Sequence, residues 1–363
     1  MNSLSPDTQA ILLLCGHFGN RAMGAKPLTP SEYAWFAQWL KTQQLRPADL
    51  LTTAITTFSK QMVIHKTVTL ERLTNLLQRG GTMALAAEVW MNKGIWVISR
   101  SDKTYPMRLK KQLGQQAPPL FYGVGTLTSL QDDGIAVVGS RQPNKSTMEF
   151  TQILAKKSAQ QRLTLISGGA RGVDTVAMLT ALAHGGMVVG ILADNLAKTA
   201  MVREYREALQ AGRLTLLSPF EPNMVFNVGN AMARNKYIYA LANWAIIVNC
   251  QYEKGGTWAG AMENLKAQWV PLLVAKDEQI SEGNQQLIKL GGIPLEKNLL
   301  QTATDLRRQL IQLASVAVRE KASRYNIQSS VTHIIGERID LFEIIWPSLE
   351  PLLMKERSVK ELA

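Results

Sequence analysis

Leu163-Thr164-Leu165-Ile166-Ser167-Gly168-Gly169-Ala170-Arg171-Gly172-Val173-Asp174 runs from a mostly apolar strand through a glycine turn into a helix start. A short apolar run without polar alternation describes a strand covered on both faces, as in a parallel sheet packed between helices. The same unit recurs on either side. Ile135–Val138, Met187–Leu192, Leu214–Leu217, Trp244–Val248 and Val270–Val274 are further runs rich in Val, Ile and Leu, each followed by helix-like sequence. The expected fold is therefore α/β, a doubly wound, Rossmann-like, mostly parallel sheet over residues 135–297.

Working outward, residues 1–95 read as a helical N-terminal domain. Thr29-Pro30-Ser31-Glu32 is a capping box with proline at the first helical position, followed by Tyr33, Phe36, Ala37 and Leu40 at helical spacing. Glu71–Arg79 is a second amphipathic stretch. Gly80-Gly81 is expected to break it, Thr82 to cap the next helix, and Gly94 to end that helix at Lys93. After a short strand at Ile95–Ile98, residues 96–134 are expected as an extended basic connector carrying Arg100, Lys103, Arg108, Lys110 and Lys111, with Pro106, Pro118 and Pro119 favouring an extended path. Residues 298–363 read as a helical tail, with an amphipathic helix at Leu306–Val318 and the beginning of a further small module at Leu341–Ala363.

The 363 residues suit two or three domains at about 100–200 residues each. With 46% apolar and 19% charged residues, the chain can bury a sizeable core. Its net charge is +12, and the excess is uneven: residues 1–134 hold 14 basic against 8 acidic side chains, and residues 135–297 hold 17 against 12. Such a surface recruits polyanions, whose counterions are released on binding. Cys15 and Cys250 stand alone and four histidines form no cluster, so neither a metal nor a cofactor is expected. The first residues lack a basic leader region, and no apolar run nears about 18 residues, so a cytoplasmic protein without membrane contact is expected.

In an open parallel sheet, ligands bind beyond the carboxyl ends of the strands. The candidate phosphate-binding residues there are Ser140, Arg141 and Lys145 after the first strand, Ser167, Gly168, Gly169 and Arg171 after the second, and Lys254, Gly255, Gly256 and Thr257 after the fifth. Arg234, Asn235 and Lys236 join them from the helix before the fifth strand. Glycine lets backbone N–H groups approach an anion, and a helix N-terminus adds partial positive charge. Arginine adds a bidentate grip and lysine a point charge. Six cations on one rim suit a strand of several phosphates rather than a mononucleotide. Asp174 is expected as a helix-dipole partner or cap rather than a catalytic acid, Tyr237 and Tyr239 as core or surface residues rather than stacking platforms, and Trp258 as a stacking candidate. GxGxxG after the first strand, GxxxxGK[ST], a Ser/His/Asp set and paired carboxylates are all missing, so no catalytic residue is assigned.

These motifs, in this order, resemble the DprA/Smf DNA-processing proteins. The resemblance rests on Gly139-Ser140-Arg141, Ser167 to Asp174, Arg234-Asn235-Lys236-Tyr237-Ile238 and Gly255-Gly256-Thr257, with Tyr105-Pro106 and Leu120–Gly125 preceding them, and covers about residues 70–295. It implies a sequence-independent single-stranded DNA-binding protein that forms a homodimer and helps load a RecA-type recombinase, a mediator rather than an enzyme. It also implies that Leu341–Ala363 is the first part of a winged-helix module. Met178 in place of histidine, Lys236 in place of the second arginine of Arg-Asn-Arg, and Asn249-Cys250 in place of a more acidic segment mark a divergent branch. A phage-defence or mobile-element context then stands beside transformation. The alternative is a nucleotide-derivative hydrolase or sensor, related to the cytokinin-activating phosphoribohydrolases, with Glu263 acting near a ribosyl bond. A partner-binding scaffold is the third reading.

Overall fold

In the computed structural model, residues 4–18, 24–58, 65–277 and 280–316 are described. A Thr29–Glu32 capping box opens the second helix as its sequence requires, with Glu32 N donating to Thr29 Oγ1 at 3.3 Å and Thr29 N to Glu32 Oε2 at 2.8 Å. The N-terminal layer consists of α1 (Pro6–Cys15), α2 (Pro30–Thr42), α3 (Leu70–Leu77) and α4 (Gly80–Asn92). Helix α1 is apolar almost all round and is sunk in the middle of this layer, with Ile11, Leu12 and Leu14 fully buried. The glycine pair does not break the chain before α4. Gly80 and Gly81 form its first turn instead, in open space where no neighbour disfavours them.

The chain then enters the sheet: β1 (Trp96–Ser99), α5 (Met107–Leu113), β2 (Leu120–Val124), β3 (Gly134–Gly139), α6 (Lys145–Gln160), β4 (Thr164–Ser167), α7 (Val173–Ala183) and β5 (Val188–Ile191). There follow α8 (Leu196–Thr199), α9 (Arg203–Gln210), β6 (Leu214–Ser218), α10 (Val228–Leu241), β7 (Trp244–Asn249), α11 (Gly255–Ala267), β8 (Leu272–Lys276), α12 (Glu282–Lys289), β9 (Ile293–Glu296) and α13 (Lys297–Thr302). A last helix starts at 306 and runs to 316, where the described residues end; Leu341–Ala363 lies outside them.

Among the described residues the sheet has the order β1-β2-β6-β5-β4-β3-β7-β8-β9. All pairs from β6 to β9 are parallel, and β1 and β2 extend the β6 edge antiparallel. The doubly wound α/β fold expected from the apolar runs is thus present, with all six of those runs as strands. The expected extended connector is corrected: residues 96–124 contribute two strands and a helix. Prolines there act as boundaries. Pro106 precedes α5, and Pro118 accepts the Tyr105 hydroxyl at 2.8 Å, so the segment folds back instead of running on. Helix α5 is fixed to the sheet layer by Arg108, which donates to the Leu241 carbonyl at 2.9 Å and pairs with Asp133 at 3.2 Å.

Candidate nucleic-acid interface

Strand β3 is where the winding reverses, with β4 on one side and β7 on the other. Crossovers leaving on opposite faces open a crevice beyond its carboxyl end. Two glycines let the flanking loops meet there. Gly172 has φ +93°, and a Cβ on it would lie 2.4 Å from the Ser140 carbonyl oxygen, so only glycine allows Val173 N to reach that oxygen at 3.1 Å. A Cβ on Gly168 would lie 1.6 Å from Arg234 Nη1, so the guanidinium of α10 rests directly on the backbone of the β4 loop.

The floor of the crevice is a buried pair of opposite charges. Asp174, in the first turn of α7, accepts from the Gly168 amide at 3.1 Å, and the amides of Ala170 and Gly139 lie close enough to favour its charge. Burial pushes its pKa up, and the nearby Arg234 and the three amides pull it back. Arg234 is 5% exposed. Burial lowers its pKa, while Asp174 and Asp194 favour its charge and Arg141 opposes it. Its Nε and Nη1 have no hydrogen-bond partner. Buried guanidinium donors without partners are rare and costly, and mark a place where an acceptor belongs.

Above this floor stands the first turn of α11. Thr257 Oγ1 donates to the Gly139 carbonyl at 3.0 Å, and Asn235 Nδ2 donates to the Gly256 carbonyl at 3.0 Å, which together fix α11 against β3 and α10. Two neighbouring helices, α6 and α10, close their own N-termini with a side-chain cap. Asn144 accepts from Thr147 N at the start of α6, and Asn227 from Asn230 N at the start of α10. In α7 the first turn holds Asp174. Helix α11 begins at Lys254 with no side-chain cap, and Gly255, at φ +77°, has no neighbour within 4 Å of a Cβ position. Its first amides remain available to an anion.

A sequence model of the DNA recombination-mediator protein A family matches residues 96–305. The chain belongs to that family. Protein Smf of Synechocystis is 24% identical over 220 residues, covering 54% of this chain and 54% of the relative. DNA processing protein DprA of Streptococcus pneumoniae is 28% identical over 167 residues, covering 45% of this chain and 57% of the relative. The chain thus spans about half the length of the curated relatives it matches. The X-ray structure of the Streptococcus pneumoniae DprA has the same fold, with a TM-score of 0.55 at 19% identity over 76% of this chain and 98% of that one.

All of the candidate residues fall inside the family match, but the fold does not bring all of them to the crevice. Arg141, Lys145, Arg171 and Lys254 are exposed around it, and Ser140, Gly169, Gly255, Gly256 and Thr257 form its walls. Ser167 is fully buried with its hydroxyl donated to the Val137 carbonyl at 2.7 Å, so it cannot serve a ligand. Lys236 follows Arg234 by two positions and therefore leaves α10 on another side. Its Nζ donates to Gln116 Oε1 at 3.2 Å, beyond α5. The expected rim of six cations is corrected to four exposed ones and the buried Arg234. Of the core and surface alternatives for Tyr237 and Tyr239, both are core.

Sequence reading missed the apolar lip of the crevice. Val225, Phe226, Val228 and Met232 are 76%, 45%, 69% and 40% exposed, and Phe226 lies 5.6 Å under the Arg141 guanidinium. Tyr252 and Trp258 meet edge-to-face at 5.1 Å beside α11, with Tyr252 exposed. The signal was present in Met-Val-Phe-Asn-Val at 224–228, a loop too apolar to be mere connection.

Proposed function

We propose that the crevice binds the backbone of single-stranded DNA without sequence preference, as part of DNA recombination. The observation that carries this is Arg234, buried against Gly168 with two unpartnered donors, while the next residue, Asn235, reaches the uncapped first turn of α11. Arg141, Lys145, Arg171 and Lys254 extend the positive field along a path of several phosphates. The exposed faces of Phe226 and Tyr252 offer stacking surfaces that unpaired bases can use and paired ones cannot. Homodimerisation and a RecA-type recombinase as partner belong to the same reading and are supported by family membership. The role is that of a mediator, and the hydrolase alternative is less favoured. Glu263, the carboxylate it needs, acts on Lys236, Tyr237 and Tyr239 and is not among the charges that bear on Arg234.

Fluorescence anisotropy with labelled oligonucleotides across a salt series tests the proposal. Single strands should bind tighter than duplex, with log K falling by about 0.7 per phosphate contacted for each decade of salt. Arg171→Glu should weaken binding to every sequence alike. Equal affinity for duplex, or no salt dependence, would refute it. Light scattering with and without oligonucleotide checks the dimer.

A further inference from the structure

The glycine-rich turn after β4 has the makings of a phosphate cradle, yet its amides already hold an anion. The Gly168 amide donates to the Asp174 carboxylate at 3.1 Å, and the Ala170 and Gly139 amides, the latter from a different loop, lie near enough to favour its charge. Arg234 faces the same carboxylate and keeps Nε and Nη1 unpartnered at 5% exposure. Three amides and a guanidinium around one oxyanion make up the donor set expected for a phosphate monoester. Here an aspartate side chain occupies it.

We infer that Asp174 is a built-in phosphate surrogate, which closes this fold's mononucleotide phosphate subsite and restricts the crevice to polyanions. With Asp174 in place, the floor of the crevice carries balanced charge. A free phosphate gains Arg234 and the α11 amides but meets the carboxylate. A strand makes the same contact and adds those to Arg141, Lys145, Arg171 and Lys254, which a lone phosphate cannot span. The inference deepens the strand-binding reading and rests on it for the choice of polyanion, though not for the subsite itself.

Asp174→Ala removes the carboxylate and frees the Gly168 amide with the two amides beside it; Asp174→Asn keeps the volume and removes only the charge. Titrating each variant and the unaltered protein with inorganic phosphate and thymidine monophosphate, against chloride at matched ionic strength, reads the subsite by thermal shift and calorimetry. Asp174→Ala should bind phosphate about 10- to 100-fold tighter than the unaltered protein, the scale of one like-charge repulsion in a partly screened site. Asp174→Asn should fall between them. A folded Asp174→Ala with no gain would overturn the inference. So would phosphate-specific stabilisation of the unaltered protein, or displacement of bound oligonucleotide by thymidine monophosphate beyond the chloride control. These phosphate titrations of the unaltered protein decide the matter even if both variants fail to fold. Absence of oligonucleotide binding by the unaltered protein would remove the strand-binding reading and leave the phosphate comparison standing.

Discussion

At the scale of single residues, the crevice depends on atoms that are missing as much as on atoms present. Gly168 supplies no charge and no hydroxyl, but its bare Cα is what lets Arg234 lie flat on the β4 loop. Gly168→Ala should therefore displace the guanidinium, lower stability by about 1–3 kcal/mol through overpacking, and weaken oligonucleotide binding in parallel. Thermal unfolding and anisotropy on the same variant check both. Lys236→Glu should cost less affinity than Arg171→Glu, because Lys236 is engaged with Gln116 and Arg171 is exposed at the crevice. The sequence grouped Gly168, Arg171 and Arg234, and the structure brings Gly168 and Arg234 into contact. It could not show that Ser167 turns inward or that Lys236 turns aside. Those outcomes depend on which face of a strand or helix a residue leaves, and register is set by tertiary packing.

At the scale of elements, local rules were legible where a motif closes on itself. The Thr29–Glu32 box is such a case, and it reaches further than its own helix. Glu32 also receives Arg72 of α3 at 2.8 Å, and Arg72 donates to the carbonyls of Lys26, Pro27 and Thr67. Burial opposes the ionisation of Glu32, but hydrogen bonds from Arg72, the Thr29 amide and Thr67 overcome it and bring its pKa down to about 2. A depressed carboxylate pKa stabilises the folded state above the ordinary value of 4.5, and that contribution drains away as pH falls towards about 2. Glu32→Gln should therefore flatten the acid limb of denaturant-measured stability between those values. Arg72→Ala, which strands a part-buried carboxylate, should cost about 3 kcal/mol at neutral pH. Strands β2 and β9 escaped sequence reading for opposite reasons. Strand β2 is apolar but follows Pro118-Pro119 directly, which favoured a connector. Strand β9 has only four residues, one of them Pro294, and it is a strand because it lies at the edge of the sheet.

At the scale of the whole molecule, the apolar runs specified the parallel sheet, while the attachment of the helical layer was invisible in them. That attachment combines a buried contact of Trp90 with Tyr122 and a polar cluster. Asp102 accepts from Ser5 Oγ at 2.8 Å, Thr8 Oγ1 at 2.6 Å and the Ser99 amide at 2.7 Å, joining the start of α1 to the end of β1. These residues stand nearly a hundred positions apart and follow no periodicity. Asp102→Ala should loosen α1 from the sheet, so that helical signal is lost ahead of the main transition on urea unfolding while oligonucleotide affinity at the crevice is kept. Circular dichroism alongside tryptophan fluorescence would reveal the separation.

The two outermost strands, β1 and β9, have four residues each, and β9 carries Pro294 together with a Lys276–Glu296 ion pair at its end. Short, proline-bearing and charged margins are poor templates for a neighbouring backbone. A protein that gathers many copies along one polymer raises its own local concentration severalfold, and open sheet margins would then invite fibrous self-association. With both margins blunted, crowding on a shared strand leaves side-chain faces, rather than backbone ladders, as the means by which neighbouring copies touch.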